Sequence, residues 1–278
     1  LNFYDFNPES KQPLLHLAHA NGFPPATYLL ALKPLLEKFH VVSFYARPFW
    51  PDCPPASTLK NWDIFADDLI RGLEELKASK ITVIGHSLGG VATLNAAIRR
   101  PDLIGQVVLI DPTMLPPSFL AKVFWYNLLG MEIRKGLVEG ALRRRRHWES
   151  RETAYESFKE KTLFKKWPTE ILRAYVAGMT APDEKGGVKL TYSPEWEAQI
   201  YRTIPTDVWK KAEKLTQPAL VIRGETSNTF TADSEKAFRK ANPSVRFEVV
   251  PGAGHLVAQE RPDEVGRILQ NFLNSSSF

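Results

Sequence analysis

The sequence predicts an α/β fold class: a mostly parallel sheet with helices on both faces and a helical unit inserted between two of its strands. Three observations carry that expectation. Short apolar runs bounded by turn residues alternate with helical patterns through residues 1–111, the alternation resumes over 216–278, and the strand signal disappears in between. A stretch as long as 112–215 exceeds any simple connection, so it reads as a helical cap, or lid, inserted into a core made of the two flanking blocks.

Taken in order, strands are expected near Leu14–Ala18, Val41–Phe44, Ile81–Gly85 and Gln106–Ile110. Each is a short apolar run of the kind buried on both faces of a parallel sheet. Helical patterns lie between them at Ala26–Glu37, Trp62–Leu76 and Leu88–Arg99. After the insertion come strands at Ala219–Arg223 and Arg246–Val250, with helices at Ala232–Lys240 and Pro262–Leu273. The tail Asn274–Phe278 reads as a frayed terminus. Parallel strands share their carboxyl ends, and ligands bind there, so the loops at that edge are where chemistry is sought.

The bulk numbers suit a globular enzyme: 278 residues, 44% hydrophobic and 24% charged. No apolar run approaches the roughly 20 residues that cross a bilayer, and the opening Leu1–Asp5 lacks the charged-then-apolar order of an export signal. The single cysteine, Cys53, sits in a proline-rich loop and has no internal disulfide partner, which fits a reducing, cytoplasmic setting. The expectation is a protein with neither a membrane nor a nucleic-acid partner. Its net charge of +5 is concentrated in the insertion, where 19 Lys/Arg face 13 Asp/Glu. The run Arg143–Arg146 is read as a solvated, ion-paired helix surface, His147 included, because consecutive helical positions point around the whole circumference and several glutamates follow.

Chemistry begins at Gly85-His86-Ser87-Leu88-Gly89, placed directly between a predicted strand and a predicted helix. That context turns a weak Gly-x-Ser-x-Gly pattern into a nucleophile elbow, in which a tight turn presents the serine and the helix aims its N-terminal N–H groups at it. A serine needs a base within hydrogen-bond reach. His255, in Gly252-Ala253-Gly254-His255 after the last strand, lies at the same sheet edge and is the candidate. His16 falls within the first of these strands and His40 at the start of the second, so both read as structural, and His19 reads as a brace for its loop. An oxyanion hole takes one donor from the Leu88 N–H and a second from the loop His19–Pro25, where Phe23 N–H follows the permissive Gly22. No metal-ligand cluster or phosphate loop is present in the sequence, so neither metal nor organic cofactor is expected.

The elbow, the His-type oxyanion loop, Leu109-Ile110-Asp111-Pro112, Val221-Ile222-Arg223-Gly224-Glu225 and Gly252-x-Gly254-His255 together resemble the lidded serine hydrolases of the α/β-hydrolase fold. That group includes esterases, lactonases and carbon–carbon bond hydrolases. The resemblance implies a Ser-His-acid triad, an acyl-enzyme and a small-molecule ester substrate. It equally admits a lactonase or C–C bond hydrolase, or a weakened ligand-binding relative.

Two departures from the family pattern stand out. The loop Tyr45–Pro51 carries bulky rings where glycines are usual, and these are expected to wall the pocket. The usual acid position, in Gly224-Glu225-Thr226-Ser227-Asn228, holds an amide. Asparagine can orient a histidine tautomer but cannot stabilise an imidazolium by charge. Asp111 at the end of the preceding strand, a disabled site marked by Asn228, and Glu225 reaching over are the three explanations. Five of the seven tryptophans fall in the insertion, so Trp125, Tyr126 and Trp148 are the candidate substrate-binding rings. An apolar pocket of that kind implies a peaked chain-length profile and poor acceptance of charged acyl groups.

Overall fold

The computed structural model describes residues 2–131 and 134–275. The first block runs β1 (Phe3–Asp5), β2 (Leu14–Ala18), α1 (Leu29–Leu32), β3 (His40–Phe44), α2 (Asp63–Glu75), β4 (Ile81–His86), α3 (Leu88–Arg99) and β5 (Ile104–Ile110). The chain then leaves the sheet through α4 (Pro117–Leu128), α5 (Lys135–Leu142), β6 (His147–Trp148), α6 (Arg151–Lys159), α7 (Thr169–Met179), β7 (Thr180–Pro182), β8 (Val188–Leu190), α8 (Pro194–Arg202) and α9 (Val208–Ala212). It returns with β9 (Ala219–Gly224), α10 (Ala232–Ala241), β10 (Arg246–Val250), α11 (Val257–Glu260) and α12 (Pro262–Ser275). The tail expected to fray lies largely outside the described residues, since α12 continues to Ser275.

Seven strands form one sheet in the order β1-β3-β2-β4-β5-β9-β10, parallel throughout except for β1, which pairs antiparallel with β3. The register aligns the carboxyl ends that matter: Ala18 opposite Gly85, His86 opposite Ile110, Ile110 opposite Ile222 and Gly224 opposite Val250. Side chains alternate across the sheet as the two-residue period requires. Val83, Val107, Leu109 and Val221 face a core shared with α2, α3, α9 and α10. Ile84, Val108, Ile110 and Ile222 face a second core under α1, α11 and α12.

Differences from the sequence expectation have local causes. The helix expected over Ala26–Glu37 is split into 3₁₀ turns flanking α1; at its far end Pro34 removes a donor that a continuous helix needs. β1 is a three-residue edge strand, too short to show a period. The inserted stretch holds a small antiparallel sheet, β6-β8-β7, built from strands of two and three residues that leave no sequence signal. The four arginines are not helical: α5 stops at Leu142, and His147 belongs to β6. Arg144 is drawn inward to Glu197 Oε2 and the Tyr175 hydroxyl, each at 2.6 Å, and Arg146 pairs with Glu195.

Within the insertion, Trp148, Phe158, Trp167, Tyr175 and Tyr192 form a separate aromatic core. Val208, Ala212 and Leu215, at its far end, pack instead into the main core beside α3.

Candidate active site

The turn between β4 and α3 places Ser87 at φ 56° and ψ −116°, a conformation a serine adopts only when the surroundings enforce it. Enforcement is visible on both sides. The Ser87 N–H donates to the Ile110 carbonyl at 3.1 Å, and the Ser87 carbonyl accepts from the Gly90 and Thr113 N–H groups at 3.1 Å each. A Cβ on Gly89 would collide with the Ala18 carbonyl, and one on Gly85 with the Gly89 carbonyl, so only glycine lets the strand, turn and helix approach this closely.

His255 follows β10 and brings its Nε2 to 2.9 Å from Ser87 Oγ, while its Nδ1 lies 2.7 Å from Asp111 Oδ1. A carboxylate can only accept, so Nδ1 carries the proton and Nε2 is left as the acceptor facing the serine hydroxyl. Asp111 is fully buried just beyond β5 and has a positive φ of 38°. It also accepts from the Gly224 N–H at 3.0 Å and the Ser227 hydroxyl at 2.7 Å. Asn228 sits exposed on the cavity wall, where its Oδ1 accepts from the Thr229 hydroxyl at 3.4 Å. Glu225 is exposed too and accepts from the Gly252 N–H at 2.8 Å. Of the three candidate acids, Asp111 alone touches His255 among the described residues.

The neighbouring histidines are held neutral. Burial pulls His86 down to about 3, with the adjacent His255 adding to the effect. Its Nδ1 accepts from the Tyr28 hydroxyl at 2.7 Å and its Nε2 donates to the His255 carbonyl at 2.9 Å, which pins the loop carrying His255. Burial likewise lowers His19 to about 4; its Nδ1 donates to the Ala20 carbonyl at 2.9 Å and its Nε2 accepts from the Ala46 N–H at 3.0 Å.

A cavity of about 470 Å³ opens beside Ser87 and His255. Asn21, Leu88, Thr113, Arg134, Ile200 and Tyr201 are among its walls. Thr113 was not distinguishable in the sequence; its hydroxyl lies 3.1 Å from Ser87 Oγ because the chain doubles back immediately after Asp111.

Several sequence expectations are corrected here. The Phe23 N–H is committed to the Ala20 carbonyl at 3.1 Å, closing the turn that Gly22 permits at φ 76°, so it is unavailable to an oxyanion. Trp125, Tyr126 and Trp148 do not line this cavity. Trp125 is 59% exposed on α4 and Tyr126 is 37% exposed beside it, whereas Trp148 is 1% exposed inside the aromatic core of the insertion. Nor do the rings of Tyr45–Pro51 wall it: Phe49 packs edge-on against His19 and Tyr192, and Tyr45 and Trp50 line a smaller pocket across the loop.

With this geometry in place, comparison with known proteins is informative. Residues 15–268 match the model of the alpha/beta hydrolase family. The chain belongs to that family. Its architecture is the α/β-hydrolase fold, and it is a hydrolase by membership. It is similar to the 2-(acetamidomethylene)succinate hydrolase of Mesorhizobium japonicum, at 26% identity over 95% of this chain and 88% of that protein. It is also similar to Esterase YbfF of Escherichia coli, at 25% identity over 79% of this chain and 78% of that protein. Among solved structures, an E-2-(acetamidomethylene)succinate hydrolase superposes with a TM-score of 0.83 at 22% identity, over 99% of this α/β-hydrolase and 95% of that chain. That likeness speaks for the fold. No helix among the described residues is long and apolar enough to cross a membrane.

Proposed function

We propose that this α/β-hydrolase is a serine hydrolase that cleaves carboxylic esters through an acyl-enzyme. The observation that carries this reading is the unbroken line of hydrogen bonds from Ser87 Oγ through His255 to Asp111, at 2.9 and 2.7 Å. Ser87 Oγ attacks the ester carbonyl carbon while His255 Nε2 takes its proton, then returns that proton to the departing alcohol. The same nitrogen next removes a proton from water, whose oxygen attacks the acyl-enzyme and frees Ser87. Asp111 holds the imidazole in the required tautomer and stabilises its cationic form.

The Leu88 N–H, at the start of α3, is one oxyanion donor. In place of Phe23 we assign the second donor to Asn21, which lines the cavity and whose side-chain oxygen accepts from the Tyr192 hydroxyl. Among the described residues its backbone N–H and its buried Nδ2 have no acceptor. We read 112–215 as a cap over this edge of the sheet, contributing Arg134, Leu137, Ile200 and Tyr201 to the cavity.

The relative named an esterase supports the ester reading. The relative named a hydrolase of a succinate derivative is a reason not to limit the reading to simple esters, and a lactone or an activated C–C bond is the alternative for the same three residues. A purely ligand-binding role draws on Asn228, and the contact of Asp111 with His255 weighs against it. The test is labelling with a fluorophosphonate, which should modify Ser87 and should fail, together with ester turnover, in Ser87→Ala. Labelling of another serine in that variant would overturn the assignment.

A further inference from the structure

One charged group in the cavity has no task in this chemistry. Arg134 immediately precedes α5, where its carbonyl accepts from the Leu137 and Val138 N–H groups at 2.9 and 3.1 Å. Its side chain lines the cavity beside Leu137, Ile200 and Tyr201, and it is the one permanent cation among the described residues that do so. Other buried or half-buried arginines have carboxylate partners: Arg47 pairs with Asp68, Arg144 with Glu197 and Arg223 with Glu235. Arg134 has no carboxylate partner among the described residues; its guanidinium lies over the Phe119 ring at 5.9 Å from the centroid.

Burial works against the Arg134 charge and lowers its pKa from the ordinary arginine value, yet a guanidinium stays protonated at any physiological pH. A half-buried cation on a cavity wall attracts an anion more strongly than one in open water, because fewer waters screen the pair. Glu260, the cavity's own carboxylate, does not: it is held by the Gly254 N–H at 2.9 Å and faces Lys166 at 3.6 Å. Among the described residues, then, no carboxylate supplies the Arg134 counter-charge, and an anionic ligand in the cavity can.

We propose that the cavity takes a substrate carrying a carboxylate, which Arg134 pairs with while Ser87 addresses the scissile carbonyl; this rests on the reading of Ser87 as nucleophile. The planar guanidinium fork matches a carboxylate with two parallel hydrogen bonds. Trp62, Leu137 and Ile200 give the cavity apolar walls, so the substrate class is a half-ester, or a comparable carbonyl compound, with a short apolar spacer ending in an acid. The sequence expectation that charged acyl groups are poorly accepted is reversed by this assignment. Of the rings behind that expectation, Trp148 packs inside the insertion, while Trp125 and Tyr126 lie exposed on α4.

The experiment compares p-nitrophenyl hydrogen glutarate with p-nitrophenyl valerate, an acid and a neutral ester of equal chain length. The native protein should prefer the acid by roughly 10- to 100-fold in kcat/KM, the range of a charge-assisted contact. That ratio should collapse towards one in Arg134→Gln and be partly kept in Arg134→Lys. A native ratio of one or below, or a ratio that survives Arg134→Gln, overturns the proposal. Calorimetric titration of monomethyl glutarate into Ser87→Ala, with and without Arg134→Gln, reads the subsite independently of turnover. Arg134-dependent binding without fluorophosphonate labelling would sink the hydrolase reading alone. Labelling without Arg134-dependent binding or preference would sink the carboxylate subsite alone.

Discussion

The Ser227 hydroxyl donates to Asp111 Oδ1 at 2.7 Å, on the same oxygen that faces His255 Nδ1. The loop after β9 thus serves a carboxylate that arrives from another strand. The Gly224 N–H occupies Oδ2 at 3.0 Å, so both oxygens are engaged and the residue next to Ser227 is free to be the amide Asn228.

Asp111→Asn should lower kcat by about 10³–10⁴ while the protein stays folded, the cost of removing the acid from a Ser-His-Asp triad. Asn228→Asp should change kcat by less than about threefold, because a carboxylate there meets a His255 already paired. Steady-state turnover of a p-nitrophenyl ester measures both. A rise of orders of magnitude in Asn228→Asp would move the acid to the loop.

Ser227→Ala removes one donor from a fully buried carboxylate, and a buried group left short of a partner costs about 1–3 kcal/mol. Urea unfolding should show that loss, with kcat falling far less than in Asp111→Asn because the His255 contact remains. Unchanged stability would mean that the Ser227 bond contributes nothing net.

Acid should destabilise the fold well before the carboxylates titrate. Burial holds His16 and His86 at about 3 and His19 at about 4, all below their ordinary value of 6.5. These folded values are depressed, so the unfolded chain binds protons that the native state refuses. Their contribution is fully present above about pH 6.5 and drains away as pH falls from there towards 3. Each group removes up to about 1.4 kcal/mol per pH unit across that window. The urea midpoint should be flat from pH 8 to 7 and drop clearly by pH 5. A midpoint that holds or rises on acidification would contradict the burial argument.

The tryptophans of the insertion should separate into two kinds. Trp148→Ala opens a void in a closed aromatic core and should cost about 3–5 kcal/mol. Trp125→Ala, on an exposed face of α4, should stay within about 0.5 kcal/mol. Neither should alter the preference among neutral ester chain lengths. A changed profile in either variant would bring that ring back to the substrate.

The core was legible because its signals are local: Ile81–His86, Leu88–Arg99 and Ala219–Gly224 lie within a residue of where apolar runs and turn residues put them. Ser87, His255 and Asp111 could be named as candidates because each sits at a strand end, and parallel strands gather their ends. Whether Asp111 or Asn228 meets the imidazole depends on a side-chain direction across 144 residues of chain, which no periodicity encodes. Phe23 failed as a donor because a single turn bond to Ala20 redirects its N–H. Arg134 escaped notice since an arginine before a helix looks the same whether solvent or a cavity surrounds it. The exposed α4 rings and the buried Trp148 have equal weight in a composition count, and only packing tells them apart.

Ser87 and His255 are separated by 168 residues, and strands β5, β9 and β10 of the main sheet lie between them in the chain. Closing so long a loop is slow and entropically unfavourable until the intervening strands have found their neighbours. The serine can be presented by β4 and α3 early in folding, yet its base arrives only when β10 docks at the far side of β9. Recovery of reactivity at Ser87 during refolding is therefore a clock for the last long-range step, set to run behind the return of helical structure.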